Sequence, residues 1–79
     1  MALVAGDRVV VVPAEGASEF TRKVYKGHVG TVERVLEHPT ERGGHYAWVV
    51  FHSLVGHEGN VNTLDLRLEV PGAVEMVLA

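Results

Sequence analysis

The stretch Tyr25-Lys26-Gly27-His28-Val29-Gly30-Thr31-Val32-Glu33-Arg34-Val35 decides how this chain is read. Valine is β-branched and packs well on a pleated surface, so the run predicts a strand from about Val29 to Glu37. Gly27 and Gly30 frame its start, and a glycine inside a strand marks a bulge or a close approach of another backbone. Upstream, Gly6 opens and Pro13 closes another valine-rich run, Asp7 to Val12. Side chains alternate faces along a strand, which sets Val9 and Val11 on one side and Val10 and Val12 on the other.

Working outward, the segment from Ala14 to Lys26 is polar and irregular and reads as a long first loop. After the decisive strand comes His38-Pro39-Thr40-Glu41-Arg42-Gly43-Gly44, a turn rich in breakers. A strand is expected from Tyr46 to His52. The glycine- and asparagine-containing segment Val55 to Asn62 is expected to be a loop. Thr63-Leu64-Asp65 fits one tight turn leading into a last strand, Leu66 to Val70, which Pro71-Gly72 ends. Residues 73–79 are apolar apart from Glu75, and over so few residues periodicity does not separate a helical turn from an added strand. Short strands with turn signals between them predict an all-β sandwich or barrel. At this length the expectation is a small five-stranded barrel over residues 1–70 and a short apolar tail over 71–79. Closing such a sheet removes exposed edges.

Composition narrows the class. Seventy-nine residues hold one domain, and a domain of this size buries only about 60% of the surface that its unfolded chain exposes. With no cysteine there is neither a disulfide nor a thiolate metal site, so stability rests on packing, a partner or self-association. Hydrophobic residues make up 47% of the chain, yet no stretch approaches the roughly 20 apolar residues of a spanning helix. Asp7 and Arg8 cut short any apolar region of a signal peptide. The expectation is a cytoplasmic protein with no membrane partner, or a virion component if a phage encodes it. The absence of isoleucine beside abundant Val, Ala, Gly and Arg points to a GC-rich bacterial or phage genome. The formal net charge of −3 argues against a domain that grips nucleic acid by its phosphates.

The run quoted at the outset, preceded by Gly6-Asp7-Arg8-Val9, resembles SH3-like barrels of two sorts. One is the KOW-type module of ribosomal and transcription-elongation proteins, which shares the Gly-x-x-Gly-x-Val-x-x-Val spacing. The other is the superfamily of electron-transport accessory barrels: the photosystem I accessory subunit, the variable chain of ferredoxin-thioredoxin reductase and the barrel domain of the nitrile hydratase β subunit. Phe20-Thr21-Arg22, Tyr25, Gly27, Val29-Gly30-Thr31-Val32 and Val49-Val50-Phe51 look like the nitrile hydratase barrel. Gly59-Asn60-Val61-Asn62-Thr63-Leu64 and Leu68-Glu69-Val70 look more like the photosystem subunit. The resemblance covers about Gly6 to Val70 and implies a supporting barrel. It does not imply hydratase activity, because the catalytic metal of that enzyme sits in a cysteine motif of its other subunit. Its motifs are short and glycine-driven, so they specify a fold better than a function.

The residues offer little catalytic chemistry. Five histidines, His28, His38, His45, His52 and His57, invite a metal, but none forms a short ligand pair of established spacing. His38 and His45 flank the turn and would converge across a hairpin near Glu37 or Glu41; exposed loop histidines are the simpler account. Ser18 and Ser53 are the only serines, and neither lies in a nucleophile elbow. No catalytic residue, cofactor or metal ligand is therefore assigned.

Two surfaces remain. Arg22, Lys23, Lys26 and His28 form a basic cluster suited to phosphate or an acidic partner, or a merely solvated loop. The strand Tyr46 to His52 is the other. With Ala47, Val49 and Phe51 inward, as the resemblance implies, Tyr46, Trp48, Val50 and His52 face out and Val10 and Val12 extend the same surface. Trp and Tyr are enriched at binding hot spots. The reverse register makes Trp48 a core residue, and a third arrangement folds Val74, Met76, Val77 and Leu78 over that surface. The leading expectation is a non-catalytic accessory barrel that docks on a protein partner. The alternatives are a KOW-like RNA- or DNA-binding module and a self-assembling structural protein, such as a phage decoration component that forms homo-oligomers.

Overall fold

A computed structural model describes residues 2–54 and 56–69. Its elements are β1 (Arg8–Val11), a π-helical turn (Thr21–Tyr25), β2 (Val29–Pro39), β3 (His45–Phe51), β4 (Glu58–Asn62), a 3-10 turn (Thr63–Asp65) and β5 (Leu66–Leu68). The five strands form one antiparallel sheet in the order β4-β3-β2-β1-β5. The all-β expectation is met. β4 and β5 stand at opposite ends of that order, yet only Thr63–Asp65 separates them along the chain. A flat five-stranded sheet holds its outer strands nearly 20 Å apart, at about 4.8 Å per step. Three residues of 3-10 turn, at about 2 Å each, span far less. The sheet must therefore curl until its edges meet at this corner.

The core follows from valine alternation. Val9, Val11, Val32, Ala47, Val49, Phe51, Val61 and Leu66 are buried inside the curl with Tyr25. Each fully buried valine contributes roughly 1.5 kcal/mol or more relative to exposure. Gly30 pairs with both Val9 and Phe51. A Cβ there would sit 2.6 Å from Val49 Cγ1 and 2.7 Å from the Val50 carbonyl oxygen, so the close backbone approach expected at this glycine is present. Tyr25 stacks on Phe51 with ring centroids 4.4 Å apart, and Phe20 meets Tyr25 edge-on at 5.1 Å. Tyr25 and Phe51 thus belong to the core, while Phe20 remains largely exposed.

Three expectations need correction. The segment Val55 to Asn62, expected to be a loop, supplies β4: Glu58–Asn62 pairs with Val50–Tyr46 of β3. Its Gly-Asn-rich sequence has weak strand propensity, and the strand exists because β3 offers it a paired edge. The first loop is not irregular throughout. Ser18 accepts from the Thr21 backbone N–H and opens a helical turn that closes on an i→i+5 bond from Lys26 N–H to Thr21 O, 3.0 Å. The final strand ends at Leu68, so Glu69, expected within it, lies outside, and the expected terminus Val70 is not among the described residues. The tail residues Val74, Met76, Val77 and Leu78 lie outside the described residues. Among the described residues no helix is long and apolar enough to cross a membrane.

The corner between β4 and β5 carries two buried polar side chains, Asn62 and Asp65. Asn62 caps the 3-10 turn by accepting from the Leu64 N–H at 2.9 Å. Its amide donates to Thr40 Oγ1 and the Gly43 carbonyl. Asp65 accepts from the Ala14 N–H, 2.9 Å, and from Arg42. The four residues Asn62 to Asp65 thereby fasten the first loop and the β2–β3 hairpin to the β4–β5 junction.

Candidate functional site

The register of β3 decides which of its side chains meet solvent. Ala47 and Val49 are fully buried and Phe51 nearly so. Tyr46 and Val50 are 45% and 37% exposed, Trp48 is half-buried and His52 is exposed. The outward set is the one expected from inward Ala47, Val49 and Phe51, and the alternative that makes Trp48 a core residue does not hold. Val10 is half-buried and Val12 exposed, opposite in burial to Val9 and Val11.

Trp48 sits mid-strand between two neighbours. On the β2 side the ladder steps from Val32↔Val49 to Arg34↔Trp48, so Glu33 is an extra residue and β2 bulges. That bulge carries the Arg34 guanidinium over the Trp48 ring, 5.7 Å from its centroid, within range of a cation–π contact. On the β4 side Trp48 pairs with Asn60. Val50 lies between Thr31 and Glu58. His52 at the far end bonds Thr31 Oγ1 through Nε2, 2.7 Å.

At its other end the face runs into polar ground. Tyr46 borders a small cleft of about 180 Å³ that it shares with Ser18, Thr21, Arg42, Asn60 and Asp65. Arg42 donates to both Asp65 carboxylate oxygens and to the Glu15 carbonyl at 2.8 Å. Burial alone pushes the Asp65 carboxyl up. The hydrogen bonds from Arg42 and Ala14 and the charges of Arg42 and Arg22 outweigh burial and hold it below the usual carboxylate range. The hydrogen bonds that Arg42 donates to Asp65 outweigh burial and raise Arg42 above its ordinary value. This pair is charged at neutral pH and structural. Thr63-Leu64-Asp65 is legible in the sequence as a turn, but nothing local marks Arg42 as its partner.

Each side chain of the basic cluster has its own setting. Arg22 turns into its own loop and donates to the Ala14 carbonyl at 3.0 Å and the Ala17 carbonyl at 3.4 Å. Lys23 pairs with Glu19 at 2.6 Å. Lys26 is exposed. His28 bonds Ser53 Oγ through Nδ1, 2.7 Å, so the serine beside His52 pairs with a different histidine. Among the described residues no hydrogen-bonding side chain orients this pair as a third member would in nucleophilic catalysis. His45 Nδ1 meets the Leu36 carbonyl at 3.0 Å. Among the described residues no three His, Cys, Asp or Glu side chains gather as a metal site would need. No family model matches the chain, and no significant likeness appears among curated proteins or solved structures.

Proposed function

We propose that the chain is a non-catalytic accessory barrel that docks on a protein partner through the outer face of β3. The observation that supports it is the placement of Trp48 on that face, under Arg34 and between the exposed Tyr46 and Val50. A half-buried Trp flanked by exposed apolar neighbours and one Arg has the make-up of a binding hot spot. Arg34 of β2 lies over the half-buried ring, so less side-chain entropy is lost when a partner covers it than for a fully exposed ring. The nucleic-acid reading draws less support, because Arg22 and Lys23 already have partners within their own loop.

The test is site-specific photocrosslinking in cells, with the photoreactive residue at Tyr46 or Val50 and at Glu41, on the hairpin turn, as control. The expected result is one defined protein adduct from positions 46 and 50. With that partner purified, Trp48→Ala weakens binding by about 30-fold, as loss of a hot spot of about 2 kcal/mol requires, and leaves the fold intact. Equal labelling from Glu41, or adducts with nucleic acid, would overturn the proposal. Adducts only with another copy of this chain would replace it with self-assembly.

A further inference from the structure

The β2–β3 hairpin outruns the rest of the sheet. β1 leaves β2 at Val32, where the last bonds are Val32 N–H to Asp7 O and Gly6 N–H to Val32 O, both 2.8 Å. β2 continues to Pro39. Beyond Val32, no strand among the described residues pairs with β2 on the side that β1 has left. An apolar cleft of about 710 Å³ opens there, walled by Leu3, Val35, Leu36, His45, Leu64 and Leu66. Leu36 and Leu64 remain substantially exposed in it. Its volume falls within the ordinary range of ligand sites, about 300–1,000 Å³. It shares no residue with Tyr46, Trp48, Val50 or His52, so it is separate from the proposed docking face.

We propose that the occupant of this cleft is the chain's own apolar segment, residues 74–78. Chain direction supports this. β5 and β2 are both antiparallel to β1, so β5 runs the same way as β2. The chain leaves β5 at Glu69, whose N–H bonds the Arg8 carbonyl at 2.9 Å. Leu3, five residues before Arg8, reaches the cleft. Val74 lies five residues after Glu69, a comparable reach of up to about 17 Å. Composition supports it too. In an extended segment Val74, Met76 and Leu78 share one face and Glu75 takes the other, which matches an apolar wall beside an unpaired strand edge. A strand added there covers an edge that otherwise invites foreign pairing.

The chain has no cysteine, so Met76→Cys accepts a single nitroxide label in the full-length protein. The expected result is that, in dilute ¹⁵N-labelled sample, the amides of Leu36 and Leu64 broaden while those of His28 and Ser53 do not. Adding Leu36→Asp abolishes the effect. A Val74→Cys label gives the same pattern and guards against disturbance by the first label. Unbroadened Leu36 and Leu64 amides with both labels would overturn the proposal. So would broadening that appears only when labelled unenriched protein is mixed with unlabelled ¹⁵N protein, because the occupant would then be a second copy.

Discussion

Arg42 and Asp65 form a two-point ion pair: the two Nη atoms donate to the two carboxylate oxygens at 2.9 and 3.0 Å. The Asp65 side chain is almost wholly buried and the Arg42 side chain three-quarters so. The pair joins the hairpin turn to the β4–β5 corner, and through the Ala14 N–H it also holds the first loop. A buried carboxylate is costly unless its lone pairs are filled, and here three donors fill them.

Removing that carboxylate unties three segments together. Asp65→Ala is expected to destabilise by at least about 3 kcal/mol, a large part of the stability of a small domain. Asp65→Asn keeps an acceptor for Ala14 and loses less. Urea unfolding followed by Trp48 fluorescence measures both.

Acid acts on the same group. The Asp65 carboxyl titrates lower in the native protein than the value of about 3.9 for an unfolded chain. As pH falls, protons therefore bind the unfolded chain first. The stabilisation is complete above that unfolded value and is lost as pH falls below about 4 and through the native value. The urea midpoint should drop over this window in the native sequence and drop less in Asp65→Asn.

Gly30 tests the close approach of β1, β2 and β3. An added methyl would meet the Val50 carbonyl, which is backbone and does not swing aside. Gly30→Ala is expected to cost about 1–3 kcal/mol or more. At Gly27 a Cβ meets open space, but φ is +81°, so Gly27→Ala costs only the left-handed penalty of about 1–2 kcal/mol. Thermal unfolding ranks the two variants.

The two faces of β3 should respond differently to truncation. Val49→Ala removes buried methyl groups and leaves a cavity, an expected loss of about 2 kcal/mol. Trp48→Ala removes a half-buried ring and its contact with Arg34, with an expected loss nearer 1 kcal/mol and no change in strand content. Denaturation and far-ultraviolet circular dichroism on both variants check the difference. A Trp48→Ala variant that fails to fold would mean that the outer face is structural.

By itself the sequence determined what depends on near neighbours. The β-branched alternation at Val9 to Val12 and at Ala47 to Phe51 set strands and faces, because successive side chains take opposite sides whatever they later meet. Gly30 marked a close approach, and Thr63-Leu64-Asp65 marked a turn. Only the tertiary structure decided what depends on pairing across the chain. Glu58–Asn62 is a strand because β3 pairs with it, not because its residues favour one. Arg42 finds Asp65 across 23 positions, and Arg22 donates to loop carbonyls. Trp48 faces outward because Val49 and Phe51 claim the inside of a curled sheet. In each case local chemistry allowed more than one arrangement, and pairing and packing across the chain chose between them.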